Sequence, residues 1–440
     1  MPDTRTIQAH LAGLIDQAAR AAVANGDLPD VALPEPSIDR PKDAANGDFA
    51  SALPMRLARA AMKPPLEVAR AIASHIPADA TIDPPEVAPP GFINLRLSTA
   101  FIQQQVEHII REGAAYADLT LGKGKKAQVE FVSANPTGPL HVGNGRGAAI
   151  GDALAAVLGA AGYEVSREYY VNDAGTQADT FTDTLYARYQ QLFGRNVEIP
   201  KDGYPGDYMI DLAKALRDRA SDGFLRPEGE AAPKELGPAG IELMLQSIRA
   251  ALDSFGVHYD TWYSERSLYE SGGAYDTAMR ILREKGLLAD REGALWFSSS
   301  ELGEDKDNVV VRSDGHPTYY ASDIAYHWDK FIRRGYDLVV DVWGADHHGH
   351  VSRLKTATGA VGADPEALHI LLYQLVFLKR SGEAVKLSKR AGELVTLSEL
   401  IADVGADAAK FFFLLRSPGA QMDFDLDLAR DTATPHPAFF

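Results

Sequence analysis

Three consecutive patterns between residues 128 and 162 constrain the fold most strongly. Alternating residues over 128–132 predict a strand, and an alanine-rich segment over 145–158 predicts a helix that ends near Gly162. The loop between them, Ser133-Ala-Asn-Pro-Thr-Gly-Pro-Leu-His-Val-Gly-Asn144, therefore lies where a strand leads into a helix. Because the first N–H groups of a helix lack partners and its dipole favours negative charge, this segment predicts a phosphate site in an α/β sheet.

The loop also carries side chains that suit a nucleotide. His141 and Asn144 add donors to the backbone N–H groups, and Gly143 has no Cβ, so a base or a phosphate can approach there. A second segment, Lys386-Leu-Ser-Lys-Arg-Ala-Gly392, carries three cations next to glycine. Mobile cations suit the charge that builds on a triphosphate when its α-phosphorus is attacked. Together, and in this order, the two segments indicate nucleotide chemistry.

Composition indicates a cytoplasmic protein of two or more domains. The chain has 440 residues, of which 45% are hydrophobic, and no cysteine, which excludes disulfides and thiolate metal sites. No apolar run reaches the roughly 18 residues of a membrane helix, and no signal peptide is evident. The net charge of −17 opposes general RNA binding. Basic clusters at 122–126, 333–334 and 386–390 are local exceptions, and each alone is most simply a solvated surface.

The order of the elements predicts a Rossmann-like, doubly wound α/β fold with a parallel sheet. Residues 1–98 predict a small N-terminal α/β domain, and 99–430 a catalytic domain with a helical insertion at about 178–261. The segments behind these predictions are helices at 53–74, 99–114, 322–334 and 350–360, strands at 92–97, 294–297, 308–312 and 336–343, and a break at 221–240. Ligands are expected at the carboxyl ends of the parallel strands.

Two short motifs and four longer blocks resemble a known family. Residues 141–144 and 386–390 resemble the "HIGH" and "KMSKS" motifs of class I aminoacyl-tRNA synthetases, with Asn144 and Leu387 as mild departures. The narrower resemblance is to bacterial arginyl-tRNA synthetases. It is carried by Glu130-Phe-Val-Ser-Ala-Asn-Pro-Thr-Gly-Pro-Leu-His141, Tyr169-Tyr-Val-Asn-Asp-Ala-Gly175, Val342-Trp-Gly-Ala-Asp-His-His348 and Gln421-Met-Asp-Phe-Asp-Leu-Asp427. Asn46-Gly-Asp-Phe-Ala50 and Pro90-Gly-Phe-Ile-Asn94 resemble the tRNA-contacting N-terminal domain of that family.

The resemblance implies an arginine–tRNA ligase, which activates L-arginine with ATP and transfers it to the 3′-terminal adenosine of its tRNA. It implies ATP with Mg²⁺ as a substrate, no tightly bound cofactor, no metal site, no membrane partner and a monomer. The residues that it implies for catalysis are His141, Asn144, Lys386 and Lys389. Those implied for ATP are Thr137, Gly138, Pro139, Leu140, His141, Gly143, Asn144, Gly344, Asp346, His347, Lys386, Ser388 and Lys389.

The arginine site implied by the resemblance is acidic and aromatic. Its residues are Glu130, Ser133, Asn135, Asn172, Asp173, Tyr319, Asp323 and His348. Arginine brings a planar cation that pairs best with carboxylates in a forked geometry. If a helix begins at Tyr319, that ring and the carboxylate of Asp323 share one face and can cover and bind the guanidinium.

Two alternatives stay open at this point. Asp346, His347, His348 and His350 are typical ligands for zinc or manganese and would suit a DHH-type phosphoesterase, which needs further aspartate clusters. In the resembled family a helical anticodon-binding domain follows the block at 421–427, and residues 431–440 are expected to be the start of it. A shortened protein, one that works with a separate partner, or a nonacylating protein that binds arginine, nucleotide or RNA is therefore also possible.

The motifs of two other nucleotide-binding classes are missing from the sequence. The chain has no G-x-x-x-x-G-K-[ST] segment, and the glycines at 143–147 do not match the dinucleotide fingerprint. A P-loop kinase and a dehydrogenase are therefore not expected.

Overall fold

The computed structural model of this protein describes residues 4–384 and 395–430. The chain divides into two compact units, Met1–Ala117 and Asp118–Phe440. The expected start of an anticodon-binding domain at 431–440 lies outside the described residues. No helix among the described residues is long and apolar enough to span a membrane.

The α-helices, in chain order, are α1 (Thr4–Ala24), α2 (Leu53–Ala61), α3 (Pro65–Ala73), α4 (Thr99–Glu112), α5 (Val142–Ala160), α6 (Thr176–Gln191), α7 (Tyr208–Ala220), α8 (Leu236–Ser254), α9 (Ala274–Glu284), α10 (Tyr319–Trp328), α11 (Val351–Ala360), α12 (Leu397–Val404), α13 (Ala406–Leu414) and α14 (Leu426–Arg430). The strands are β1 (Ile38–Asp39), β2 (Phe49–Ser51), β3 (Glu86–Ala88), β4 (Phe92–Leu95), β5 (Lys126–Phe131), β6 (Glu164–Val171), β7 (Thr261–Ser264), β8 (Leu288–Arg291), β9 (Ala294–Phe297), β10 (Asn308–Val311), β11 (Leu338–Gly344), β12 (Leu368–Tyr373), β13 (Val376–Arg380), β14 (Glu383–Ala384) and β15 (Met422–Asp425).

The first unit packs helices α1 to α3 on a four-stranded antiparallel sheet in the order β1-β2-β4-β3. Its core includes Leu11, Ile15, Val68 and Ile93, all fully buried. The helical stretch predicted over 53–74 is divided into two helices, α2 and α3. Met62 ends α2 in the left-handed conformation, and the two prolines that follow it cannot continue a helix.

The centre of the second unit is a five-stranded parallel sheet in the order β12-β11-β5-β6-β7. The chain runs from β5 outward to β6 and β7, then returns to the other side of β5 with β11 and β12. The predicted doubly wound parallel sheet is therefore confirmed. Its strand order reverses between β5 and β11. In sheets of this kind, ligands bind in the crevice at the carboxyl ends of the two strands between which the order reverses.

Two predicted strands do not belong to the parallel sheet. The strands β9 and β10 pair antiparallel with β8 in a separate three-stranded sheet. The tight turn between β8 and β9 consists of Glu292 and Gly293, both with positive φ, which is the geometry of a two-residue hairpin. A hairpin makes neighbouring strands antiparallel, so the prediction that 294–297 and 308–312 continue the parallel sheet is wrong.

Three helices form the insertion between β6 and β7. The helices α7 and α8 both pack on α6, and the predicted break at 221–240 corresponds to the segment that joins them. After α10 the chain continues through a π-helical turn, Asp329–Arg333, where a uniform helix over 322–334 was predicted. This widened turn contains the buried Lys330, whose partners lie on the parallel sheet.

Candidate active site

A cavity of about 1050 Å³ opens at the carboxyl ends of β5 and β11, where the strand order reverses. It brings together most of the residues that the sequence indicated. Those that line it are Glu130, Ser133, Asn135, Thr137, Gly138, Pro139, His141, Gly143, Asn144, Asn172, Tyr319, Asp323, Gly344, Asp346 and His347. Lys386, Ser388 and Lys389 lie outside the described residues.

Three residues that the sequence indicated for the site do not line the cavity. Leu140 is buried and its carbonyl accepts a bond from the N–H of Leu397 at 2.8 Å. The carboxylate of Asp173 accepts from the hydroxyl of Ser264 at 2.6 Å and from the backbone N–H of Arg266 at 3.1 Å. His348 is exposed outside the cavity. The structure therefore gives Asp173 a local role in holding the segment that follows β7.

The N-terminus of α5 contributes His141, Gly143 and Asn144 to the lining of the cavity. The Nδ1 atom of His141 accepts from the N–H of Gly143 at 3.1 Å, and Oδ1 of Asn144 accepts from the N–H of His141 at 3.0 Å. This reciprocal arrangement is a capping box. Burial lowers the pKa of His141, which favours the neutral ring. Because Nδ1 accepts, the ring proton lies on Nε2, which remains a donor for a ligand.

The segment that follows the undescribed residues 385–394 returns to this same helix end. The N–H of Val142 donates to the carbonyl of Val395 at 3.1 Å, and Thr396 forms a bridge with His141. Val395 and Thr396 are therefore held beside the N-terminus of α5.

The loop that leads into α5 begins with a strained backbone. Val132 and Ser133 have φ angles of 68° and 38°, and residues other than glycine rarely adopt such values. Tyr259 donates to the carbonyl of Phe131 at 3.1 Å, and the hydroxyl of Ser133 accepts from the N–H of Tyr170 at 3.1 Å. Strain of this kind persists only where surrounding contacts hold it, and it concentrates at functional sites.

Three carboxylates lie side by side across the sheet beneath the cavity. Asp341, Glu130 and Glu168 occupy paired positions on β11, β5 and β6, and each is buried. The Nζ atom of Lys330 lies 2.6 Å from Oε2 of Glu130 and 2.7 Å from Oδ1 of Asp341. Arg334 binds Glu168 through two nitrogens. These cations offset the mutual repulsion of the carboxylates.

The pKa shifts of this network follow from burial and from its ion pairs. Burial raises the pKa of Glu130, and Lys330 only partly opposes that rise. Burial also acts against ionisation of Asp341, but Lys330 and His327 outweigh it and hold the pKa at about 2. Burial disfavours the charged form of Lys330, yet its two carboxylate partners raise the pKa overall. Lys330 and Asp341 are therefore charged, whereas burial disfavours the ionised form of Glu130.

Another part of the cavity lining is acidic. Tyr319 is the first residue of α10 and Asp323 lies one turn later, so both face the cavity as the sequence spacing requires. One carboxylate oxygen of Asp323 accepts from His350 at 2.7 Å. Glu265, which sequence analysis missed, accepts from the hydroxyl of Ser322 at 2.8 Å and lines the same cavity. The amide of Asn172, with its nitrogen toward Glu265, donates to Oε2 at 2.7 Å.

Glu265 is held in an unusual state for a carboxyl group. It is only 4% exposed, and burial raises its pKa to about 7, with Asp323 and Asp173 adding to the rise. A cationic ligand next to it would restore the ionised form. A signal for Glu265 was available in the sequence, because it follows β7 as Asn172 follows β6. Residues after adjacent parallel strands meet at the same edge of the sheet.

The histidines that suggested a metal site do not converge. His350 binds Asp323, His348 lies outside the cavity, and Asp346 and His347 are exposed. In the described part of the chain no three His, Asp or Glu side chains are placed to hold a metal ion. The phosphoesterase alternative therefore gains no support from these residues.

Comparisons with known proteins agree with this geometry. Residues 7–97 match the family described as the arginyl tRNA synthetase N terminal domain, and residues 105–201 and 241–412 match the catalytic domain of class I (R) tRNA synthetases. An arginine–tRNA ligase of Dehalococcoides mccartyi is 49% identical over 97% of this chain and 76% of its own length. One of Carboxydothermus hydrogenoformans is 50% identical over 92% of this chain and 72% of its own.

Solved structures show the same likeness. A putative arginyl tRNA synthetase of Campylobacter jejuni is 35% identical with a TM-score of 0.69, over 75% of this chain and 72% of that one. The arginyl-tRNA synthetase of Thermus thermophilus, at 22% identity and a TM-score of 0.62, covers 97% of this chain and 78% of its own, and shows the shared fold.

Proposed function

Because this chain belongs to the arginyl-tRNA synthetase family, we propose that it joins L-arginine to the tRNA for arginine in two steps. In the first, the arginine carboxylate attacks the α-phosphorus of MgATP, which gives arginyl-adenylate and releases pyrophosphate. In the second, the 2′-hydroxyl of the tRNA's terminal adenosine takes the arginyl group and AMP leaves. The observation that carries the proposal is one cavity whose lining contains both a helix N-terminus and carboxylates.

The acidic end suits the arginine side chain. A guanidinium stays charged and presents its N–H donors in a planar fork that matches carboxylate oxygens. Asp323 and Glu265 supply such oxygens, and the half-exposed ring of Tyr319 can cover the cation. Glu130 is engaged by Lys330 and Ser133, so we assign it to shaping the floor of the site.

The part of the cavity at the N-terminus of α5 suits ATP. Nε2 of His141 and the amide nitrogen of Asn144 are donors for phosphate oxygens, and the dipole of α5 favours the negative charge of the phosphates. Gly143 leaves no room for a side chain, since a Cβ there would lie 2.9 Å from the ring of His141. Lys386 and Lys389, outside the described residues, are the cations that we propose for the developing charge, with Mg²⁺ bound to ATP as part of the substrate.

The proposed reaction needs no protein nucleophile. The reacting groups are the carboxylate of arginine and the α-phosphorus of ATP, so the protein contributes placement and charge stabilisation. We propose that an arginine whose guanidinium is held at Asp323 and Glu265 extends its carboxylate into the same cavity that holds ATP.

The test is attachment of labelled arginine to its tRNA, with citrulline as the competing amino acid. Citrulline has nearly the shape of arginine but a neutral urea group, so it cannot pair with the two carboxylates. We expect arginine to be preferred by at least about a hundredfold in kcat/KM, because the site would leave buried carboxylates without a cation. Equal use of both amino acids, or attachment of neither, would contradict the proposal.

A further inference from the structure

The helical insertion touches the loop between β5 and α5 at two points. The hydroxyl of Tyr208 donates to the carbonyl of Thr137 at 2.8 Å, and the amide of Asn135 donates to Oε1 of Gln177 at 2.6 Å. Thr137 and Asn135 are both loop residues that line the cavity. The loop that presents the helix end is therefore tied to a different part of the unit.

Tyr208 comes from a segment outside the family match. The catalytic domain of the family matches residues 105–201 and 241–412, and Tyr208 lies in the interval between them. Tyr208 is nevertheless a lining residue of the same cavity, together with Tyr204. The sequence motifs gave no indication of either residue.

Tyr208 is anchored by helix α7, which is packed into the core of the unit. Tyr208 is its first residue, and the next turns bury Met209, Leu212, Ala213 and Leu216 against the insertion. The phenol lies against the loop backbone, since a Cβ on Gly138 would be 3.4 Å from its oxygen. The hydroxyl thus belongs to a residue of a packed helix and donates a hydrogen bond to the carbonyl of Thr137 in the loop.

The loop between β5 and α5 depends on contacts that hold its backbone in place. It starts with two consecutive residues in the left-handed region, Val132 and Ser133, which raise its energy relative to an unstrained turn. It ends at His141, whose backbone and ring form the cap of α5. A shift of the loop would therefore move the donors at the helix end, and small displacements of such donors are costly to catalysis.

We propose that Tyr208 is a positioning residue that holds the loop at Thr137, so that the insertion sets the geometry of the ATP end of the cavity. This inference rests on the proposed function for its kinetic consequence. Its structural consequence, a loop that loosens when the hydroxyl is removed, is independent of any activity.

The test is Tyr208→Phe, which removes the hydroxyl and keeps the ring. The matched control is Tyr189→Phe, because Tyr189 lies in the same insertion and donates its hydroxyl to the carbonyl of Ser221, away from the cavity. Amide hydrogen exchange of the peptides that span 133–140 is followed in both variants, together with ATP binding by calorimetry. The KM values for ATP and for arginine are measured in the pyrophosphate exchange reaction.

We expect Tyr208→Phe to speed hydrogen exchange in 133–140 alone and to weaken ATP binding about threefold to tenfold, as the loss of one hydrogen bond predicts. The KM for arginine and the control variant should not change. If the unmodified chain shows no pyrophosphate exchange, the proposed function fails, and hydrogen exchange with ATP binding still decides the role of Tyr208. Equal hydrogen exchange rates in 133–140 and equal ATP affinities in the two variants would overturn the inference. Faster hydrogen exchange across the whole insertion in Tyr208→Phe would also overturn it.

Discussion

The ammonium group of Lys330 lies 2.6 Å from a carboxylate oxygen of Glu130, and both side chains are buried beneath the cavity. The same ammonium also binds Asp341 at 2.7 Å. One cation thus joins two neighbouring strands of the sheet at the point where the strand order reverses. This arrangement fixes the floor of the site and occupies Glu130 before any ligand arrives.

Replacing Lys330 with methionine should destabilise the protein strongly. The change leaves Glu130 and Asp341 buried without a cation, and breaking a buried ion pair costs about 3–5 kcal/mol of unfolding free energy. The measurement is urea denaturation of Lys330→Met and of the double variant with Asp341→Asn, which should recover part of the loss. Lys214→Met, which removes an exposed pair with Asp211, is the control and should change little. A stability loss as small as that of the control would contradict this account of the network.

Asp323→Asn should weaken arginine binding while the protein remains folded. The substitution keeps the shape of the side chain but removes the charge proposed to face the guanidinium, so we expect the arginine KM to rise about 30-fold to 100-fold. The ATP KM should stay nearly constant, because ATP is proposed to occupy the other end. Asp314→Asn serves as the control, since Asp314 is exposed and bonds the N–H of His316 just before α10. An arginine KM that is unchanged in Asp323→Asn would remove this residue from the site.

Arginine affinity should increase as the pH rises through about 7. Burial raises the pKa of Glu265 to about 7, so below this pH the group is mostly protonated and offers no charge to the guanidinium. Above it, the ionised form binds the cation. In the free protein, the raised pKa of Glu265 makes the free energy of unfolding fall as the pH rises from about 4.5 toward 7. The reason is that burial favours the neutral carboxyl group over the ionised one.

The pH effect is measured by calorimetric titration of arginine between pH 6 and pH 8, with Glu265→Gln as the comparison. His350 and Asp323 face the same end and are kept in both proteins, so the difference between the two profiles isolates Glu265. Identical profiles in the two proteins would show that Glu265 does not titrate in this range or does not contact arginine.

His141→Asn should separate the two roles of His141. Asparagine is a strong helix cap, so the stability of α5 should persist, whereas His141→Ala should lose about 1 kcal/mol of unfolding free energy. Both variants lack the Nε2 donor. We expect the exchange rate constant to fall about 100-fold in each, as for the loss of a donor that stabilises transition-state charge. Rates near that of the unmodified protein in His141→Asn would limit His141 to capping.

Sequence reasoning predicted the parallel sheet and the strand, loop and helix that lead from β5 into α5, because these depend on local patterns. The strand at 126–131, the glycine- and proline-rich loop and the helix from Val142 are contiguous, and each has a recognisable composition. The hairpin at Glu292 and Gly293 was missed because its turn has a less common residue pair, and an antiparallel sheet followed where parallel strands were expected.

The remaining site residues depend on contacts between distant segments. Lys330 resembles any lysine of a polar helix until the fold places it between Glu130 and Asp341, more than ten residues away from each. Tyr208 meets Thr137 across 71 positions of sequence. No periodicity or motif encodes such pairings, so only the tertiary arrangement reveals them.

The central claim is that one cavity activates arginine with ATP, and arginine-dependent exchange of labelled pyrophosphate into ATP tests it most directly. The reaction is run with this 440-residue chain, with and without the tRNA for arginine. We predict exchange that requires arginine and reaches its full rate when that tRNA is present. Retained binding of arginine and ATP without any exchange under either condition would contradict the claim and would favour a nonacylating, ligand-binding protein.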